Sequence, residues 1–392
     1  MNKKIFISTG EVSGDLHGSL LSKALFNEAK KYSIDLEICG LGGERMEQEG
    51  VKILQDTTSI SAIGIWEALP LILPTMRIQK RFYKLLQNSS PNCLILIDYM
   101  GPNIKIGTKL KNSKNKIPIY YYIAPQEWAW RVGNNSTTDL INFSDKIFAI
   151  FKQEANFYKK RGGNVLWVGH PMIDLTKKLP IKKDARAILG LRANQNILLL
   201  MPASRPQELR YVLPTFMKSA KKLQQRYPNL IVYIPSCRNV FEEKFRNALR
   251  KFDVKGKVVS EKDNAKLKPY IYSLTKLALC KSGTVNMELA LYGIPQIVGY
   301  RVSRVTAFIA KKILNFKVRF ISPVNLLVKK LIIPEFVQKN FDDKKIFYKA
   351  CKILDKRVEK TKIKKGYALL KKELGEEGVV ERTATEIINS II

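Results

Sequence analysis

Histidine is almost missing from this chain. Only His17 and His170 occur among 392 residues, which excludes a histidine-built metal site. The five cysteines, Cys39, Cys93, Cys237, Cys280 and Cys351, show no paired spacing. They fit buried thiols in a reducing compartment rather than a disulfide or zinc framework. No run of 18 apolar residues is present, so no transmembrane helix is expected. The opening MNKKIFISTGEVSGD has too short an apolar stretch for a signal peptide and no cleavage site after it, which points to the cytoplasm. Acid is also scarce: 34 Asp and Glu stand against 68 Lys and Arg, a net charge of +34. Such a balance calls for a polyanion nearby, whether nucleic acid, an anionic membrane face or a phosphorylated substrate. Codon bias in an AT-rich genome gives a second account of a chain this rich in Lys, Asn and Ile. An RNA-binding aromatic motif and a helix-turn-helix signature are both lacking, so nucleic acid is not the expected partner.

What is present is an alternation of apolar strands and helical stretches, the pattern of α/β architecture with parallel sheets. It runs from KIFIS at 4–8 through DLEICGLGG, NCLILIDYM, IPIYYYIAPQEWAW, DKIFAIF and NVLWVGHPM. It starts again at NILLLMPASR and continues through LIVYIPS, VKGKVVS, LALCKSGT and IPQIVGY. Two doubly wound, Rossmann-like halves are expected, with a cleft between them. The domains are placed at 1–175 and 176–340, with charged helices over 341–392 that pack back on the first domain or are exchanged in a dimer. TGEVSGDLHG reads as a polar turn before a helix that begins near Leu16.

In open parallel sheets, ligands bind beyond the carboxyl ends of the strands. TGEVSGD, IDYMGPN, APQEWAWR, MPASR and KSGT are therefore the candidate loops. Ser282, Gly283 and Thr284 stand where a strand hands over to a helix, and such a terminus attracts phosphate. Glu288, four residues past Thr284, lies one turn along the same face and suits a pair of ribose hydroxyls. An ordinary N-cap with a surface Glu would leave the same residues. Arg205 in the MPASR loop suits a diphosphate through paired donors, or a surface ion pair. Asp98 ends the buried run LILID, where a general base would stand, or where an Asx cap leads into Gly101-Pro102. Glu11 and Asp15 are further acids, or caps of the first helix, and His17 reads as structural. The segment 63–86 gathers Trp66, Leu69, Leu73 and Met76 around Pro70 and Pro74, ahead of Arg77, Lys80, Arg81 and Lys84. The prolines speak against one long helix. The composition suits an anionic membrane surface, with an irregular pair of core helices as the alternative.

TGEVSGD (9–15), GLGGERMEQEG (40–50), GIWEALP (64–70), IDYMGPN (97–103), APQEWAWR (124–131), VGHPMID (168–174), ASRPQE (203–208), SGTVNMELALYGIPQIVGYR (282–301) and NLL with PEFVQ (325–338) occur in that order. Together they make the chain resemble the lipid-A-disaccharide synthase family over nearly its whole length. The resemblance implies a GT-B fold and an inverting transfer from UDP-2,3-diacylglucosamine to 2,3-diacylglucosamine 1-phosphate (lipid X), with no cofactor. It implies that Ser204, Arg205, Ser282, Gly283, Thr284, Glu288, Asn325 and Gln338 hold UDP and that Asp98 deprotonates the acceptor, with Glu11 the second candidate base. Trp66, Leu69, Leu73, Met76 and Arg77 would meet acyl chains and the inner face of the cytoplasmic membrane, and a homodimer by exchanged C-terminal segments is one implied assembly. Two positions depart from the family pattern. Gly101 stands where relatives carry a second acid, and Ala203 where they carry Gly. Another GT-B enzyme, a UDP-sugar epimerase and a non-enzymatic basic protein remain as alternatives.

Overall fold

Ile5, Phe6 and Ile7 are buried at the middle of a seven-stranded parallel sheet, because a strand covered on both faces reads as a continuous apolar run. The computed structural model describes residues 1–58, 65–113, 116–128, 135–202, 206–236, 239–302 and 319–392, without the side chains of 65–72, 135 and 206–207. The chain divides into two units: Met1–Leu175 with Leu374–Ile392, and Thr176–Glu373.

The first unit carries β1 (Asn2–Ser8), β2 (Asp35–Gly42), β3 (Lys52–Asp56), β4 (Cys93–Ile97), β5 (Ile119–Tyr122), β6 (Lys146–Ala149) and β7 (Val165–Trp167), in the spatial order β3-β2-β1-β4-β5-β6-β7. Its helices are α1 (Glu11–Lys31), α2 (Glu44–Gln48), α3 (Ile65–Ser89), α4 (Met100–Lys111), α5 (Asn135–Phe143) and α6 (Lys152–Lys159). The second unit carries α7 (Lys182–Leu189), β8 (Asn196–Met201), α8 (Pro206–Arg226), β9 (Leu230–Pro235), α9 (Asn239–Lys251), β10 (Gly256–Val259), α10 (Glu261–Leu274), β11 (Thr275–Lys281), α11 (Val285–Leu291), β12 (Gln296–Tyr300), α12 (Pro323–Val328) and β13 (Glu335–Val337). Its strand order is β10-β9-β8-β11-β12-β13, again all parallel. Helices α13 (Asp343–Asp355) and α14 (Arg357–Leu374) follow, and α15 (Val379–Asn389) returns to the first unit, against α1. Both sheets thus have the doubly wound order in which the winding reverses, between β1 and β4 in one and between β8 and β11 in the other.

Two sequence expectations need correction. Helix α1 begins at Glu11, not near Leu16, so the EVSGDLHG stretch is helix rather than turn, with Gly10 as its extended N-cap. Its glycines serve close packing: a Cβ at Gly14 would fall 1.8 Å from Thr9 Oγ1, and one at Gly18 2.5 Å from the Met46 sulfur. The prolines at 70 and 74 do not break the 63–86 segment, since α3 runs through both as one helix. Each proline removes one backbone donor, and the carboxyl-terminal half offsets this by burying Phe82 and Leu86. The Phe82 ring sits 5.8 Å from that of Phe6 on β1.

Candidate functional site

In the first unit, the switch point lies between the ends of β1 and β4, where Ser8 pairs with Leu96. Thr9 and Gly10 follow one strand and Asp98 and Tyr99 the other. Glu11, Asp98 and Tyr99 all have positive φ (67°, 47° and 49°), a costly conformation for residues with side chains. Asn103 fastens this geometry. Its side-chain N–H groups reach the carbonyls of Ser8 (3.2 Å), Ile97 (3.2 Å) and Asp98 (2.9 Å), and its oxygen accepts from the Ser8 hydroxyl at 2.7 Å. The Tyr121 hydroxyl also donates to the Asp98 carbonyl, at 2.7 Å.

Asp98 and Glu11 are brought together here. Burial and, secondarily, the Glu11 charge push the Asp98 carboxyl up to about 6, against a hydrogen bond from the Tyr99 N–H that lowers it. Asp98 is only half-buried by surface area, but its surroundings are dense enough to strip much of its hydration. Asp15, by contrast, is buried and caps α2, not α1, by accepting from the N–H groups of Gly43, Arg45 and Met46.

The loop after β5 is organised from beneath. The Trp128 indole donates to Gln126 at 2.6 Å, and Gln126 donates to the Ala124 carbonyl at 2.8 Å and to Glu154 at 3.3 Å. Glu154 is wholly buried, and burial raises its carboxyl to about 8. His170 packs 5.1 Å from Phe151 and 6.4 Å from His17, ring to ring. Burial lowers His17 to about 4 and His170 to about 3, so both are neutral at pH 7.

In the second unit, the switch point lies between β8 and β11. Ser204 and Arg205 fall outside the described residues. Ser282, Gly283 and Thr284 stand between β11 and α11, with Thr284 the N-cap and Gly283 facing open space. Not every amide there is free for an anion: the Gly283 N–H donates to the Asn286 side chain at 2.9 Å. Asn286 is in turn held by Gln296, which also reaches Tyr367. Lys281 pairs with Glu208 in a partly buried site rather than standing as loose surface charge. Glu288 lies on α11 with Lys268 Nζ 2.6 Å from its carboxylate.

Asn325 is fully buried, and its side chain is used up within the protein. It donates to the Ile333 carbonyl (2.8 Å) and Glu335 (2.7 Å) and accepts from the N–H groups of Ile332 (2.7 Å) and Ile333 (3.0 Å). Those four bonds match an amide's capacity. Gln338, at φ 50°, follows β13 and has its carbonyl held by Arg301 at 3.2 Å. On α3, Leu73 and Met76 are 65% and 54% exposed and Arg77 is exposed, while the side chains of Trp66 and Leu69 lie outside the described ones. Among the described residues, no group of His, Cys, Asp or Glu could hold a metal ion, and no helix is long and apolar enough to cross a membrane.

Residues 5–390 match the family model described as lipid-A-disaccharide synthetase. The chain belongs to this family. It is 49% identical over 386 residues to the lipid-A-disaccharide synthase of Prochlorococcus marinus (strain MIT 9313), covering 98% of each chain. It is 40% identical to that of Gloeothece citriformis (strain PCC 7424), over 99% of this chain and 100% of the relative. Among solved structures, the S. aureus MnaA-UDP co-structure superposes with a TM-score of 0.67 over 100% of this chain and 98% of that one, at 14% identity. That likeness shows a shared fold and nothing about chemistry. Membership of the synthetase family makes the chain a glycosyltransferase of lipid A biosynthesis, and the epimerase and non-enzymatic alternatives fall away.

Asn103, Asn286, Gln296 and Glu154 each hold a candidate loop without belonging to the candidate set that the sequence suggests. Asn103 had a readable signal: an amide five residues past a buried strand's acid can span back over the strand end.

Proposed function

We propose that the chain transfers the diacylglucosaminyl group of UDP-2,3-diacylglucosamine to the 6-hydroxyl of lipid X, with Asp98 as the general base. The proton of the hydroxyl passes to the Asp98 carboxylate. The oxygen then bonds to the anomeric carbon from the face opposite the diphosphate, and UDP departs with the electron pair of the broken bond. The product is the β-1,6-linked disaccharide 1-phosphate. The observation that carries this assignment is the Asp98–Glu11 pair at the switch point of the first sheet, in a chain of this family. A carboxyl near 6 is mostly ionised at pH 7 yet still basic enough to take a proton. Burial sets most of that balance, and the Glu11 charge adds to it.

The second unit holds the nucleotide. Arg205 would neutralise the departing diphosphate, the hydroxyls of Ser204 and Thr284 would donate to it, Ser282, whose own hydroxyl donates to the Ile321 carbonyl at 2.5 Å, would line its site, Gly283 would let it approach, and Glu288 would accept from the ribose hydroxyls. Gln338 would complete the pocket. Asn325 acts at one remove, by fixing the loop between α12 and β13.

The exposed apolar and basic face of α3 would dock on the anionic inner face of the cytoplasmic membrane, where both lipid substrates reside. Trp66 and Leu69 would extend that face. Electrostatic attraction then adds to apolar burial. A homodimer that exchanges the C-terminal segment would use the face of α1 that α15 covers in this chain.

Mass detection of the disaccharide after mixing protein, UDP-diacylglucosamine and lipid X tests the reaction. Asp98→Asn is expected to cut turnover by about 10²–10⁴-fold with UDP affinity unchanged. Near-parent turnover in that variant would overturn the base assignment.

A further inference from the structure

In the second unit the starts of β9, β8 and β11 lie side by side, because the three strands are neighbours and parallel. They form the edge of the sheet opposite the one where Ser282, Gly283 and Thr284 follow β11. A cavity of about 520 Å³ opens at this edge, a volume within the range of small-molecule sites. Lys276 lines it from β11, Arg226 from the end of α8 and Lys360 from α14, while Tyr227, Pro228 and Leu354 give it an apolar wall. The rim is tied together in advance. The Asn196 N–H donates to the Asn229 carbonyl at 3.0 Å, and the Asn194 side chain donates to that of Asn229 at 3.3 Å.

Lys276 is placed by a fault in the ladder. Thr275 pairs with Ile197 and Leu277 with Leu198, so β11 carries one residue more than β8 at this point. Such a bulge frees a residue from pairing and re-aims its side chain. The cavity holds three cations and no carboxylate in its lining. Arg226 is loosely paired with Asp355 at 3.7 Å, whose other oxygen accepts from the Tyr227 hydroxyl at 2.8 Å. Lys360 Nζ donates to the Leu354 carbonyl at 2.7 Å, which leaves its charge unbalanced. Among the described residues, no carboxylate pairs with Lys276. Lys276 is exposed by area, yet its ammonium is held below the ordinary value, first by burial and then by the like charges of Lys182, Lys360 and Arg186. An anion between these groups would remove that repulsion.

We propose that this cavity binds a phosphorylated small molecule carrying at least two negative charges, with Lys276, Lys360 and Arg226 as its ligands. The three donors arrive from a strand start and two helices. A phosphate presents three acceptor oxygens around one centre and can meet all of them, whereas a carboxylate offers two oxygens in one plane. The site stands apart from the loops proposed to hold UDP and does not depend on that reading.

Calorimetry of the full chain with inorganic pyrophosphate reads the site, with UDP in excess to fill the loops around Ser282. One pyrophosphate per chain is expected. A net charge of +34 attracts polyanions over the whole surface, so single substitutions decide. Lys276→Met and Lys360→Met should each weaken pyrophosphate binding by about 10-fold or more, the range for hydrogen bonds to a charged group, and leave UDP affinity unchanged. Lys276→Arg, which keeps the charge, should retain most of the affinity. Citrate should bind less tightly than pyrophosphate. ATP separates two sources of the phosphate: binding tighter than pyrophosphate makes the ligand a nucleotide lying on the apolar wall, and equal or weaker binding makes it a free polyphosphate. If Lys360→Met fails to fold, as read by circular dichroism, Lys276→Met and Lys276→Arg decide alone. Pyrophosphate that binds the folded Met variants as tightly as the parent, binds without fixed stoichiometry, or binds no more tightly than citrate overturns the site. A parent that fails to bind UDP strikes the nucleotide loops instead, and the pyrophosphate titrations still decide the cavity.

Discussion

The Gly43 N–H donates a 2.8 Å hydrogen bond to the Asp15 carboxylate, and the Met46 N–H meets the same oxygen at 3.2 Å. The Arg45 N–H takes the other oxygen at 3.2 Å. An acid from the second turn of α1 thus satisfies donors at the start of α2 that have no partner in their own helix. Asp15→Ala strands those donors in a buried site and is expected to cost about 1–3 kcal/mol, read as a shifted urea midpoint. Asp15→Asn keeps one acceptor and should cost less. Loss of turnover in Asp15→Asn at an unchanged midpoint would give Asp15 a part in the chemistry.

The doubly wound order was legible because LILI and ILLL are unbroken apolar runs, and a strand covered on both faces needs one. The loops at the switch points followed from those runs, which is why Asp98, Glu11 and Ser282 could be named at all. β3 was not legible, since KILQD alternates too weakly, and β13 is only three residues long. The start of α1 was hidden because Gly14 and Gly18 signal a turn locally, while their reason is tertiary: Thr9 and Met46 occupy the missing Cβ positions. α3 departs from the sequence expectation for a related reason. Local proline rules were outweighed by Phe82 and Leu86, whose burial depends on a sheet formed by distant residues. Asn325 has the sequence context of a pocket residue, but its amide is spent on Ile332, Ile333 and Glu335, partners that the fold alone brings to it.

The pH dependence of turnover follows from the first-unit pair. With the Asp98 carboxyl near 6, the base is lost as pH falls through that value, so kcat/KM should drop on an acid limb near pH 6, about tenfold per unit below it. Glu11 contributes to that elevation through like charge. Glu11→Gln removes the charge and should move the limb to lower pH, with turnover at pH 7 reduced far less than in Asp98→Asn. A limb that stays in place in Glu11→Gln would mean burial alone sets the Asp98 carboxyl. A Glu11→Gln variant that is dead while Asp98→Asn is active would make Glu11 the base.

Glu154 makes folding stability depend on pH in a window where the histidines do not titrate. Its carboxyl is near 8 in the folded chain and near 4.5 when exposed. Between those values the native state holds a proton that the unfolded state has released. The stabilisation is complete below the lower value and is lost as pH rises through the upper one. His17 and His170 act the other way, with folded values near 4 and 3, so they destabilise only in acid below about 6.5. Between pH 7 and 8 the Glu154 contribution should dominate, with stability falling by about 1 kcal/mol over that unit as the native carboxyl itself begins to ionise. Urea denaturation at the two pH values reads it. Glu154→Gln, which keeps a donor and an acceptor without a titrating proton, should flatten that slope. An equally steep slope in the variant would place the titration elsewhere.

Glu288 is the second-unit residue whose two uses can be separated. Its carboxylate stands 2.6 Å from Lys268 Nζ on α10, and it is 24% exposed on α11, one turn past Thr284. If it accepts from the ribose hydroxyls, Glu288→Gln should weaken UDP binding by about 10–100-fold, the range for hydrogen bonds to a charged group. The same change should cost much less for 2′-deoxy-UDP, which lacks one of the two donors. Lys268→Met is the control, because it removes the ion pair and leaves the carboxylate. A ribose ligand predicts that Lys268→Met binds UDP nearly as well as the parent does. An ion pair that only ties α11 to α10 predicts instead that Lys268→Met reproduces the loss seen in Glu288→Gln. Calorimetry of both variants with both nucleotides decides: equal weakening of UDP and 2′-deoxy-UDP in Glu288→Gln, matched by Lys268→Met, would make the residue structural and leave the ribose to other groups.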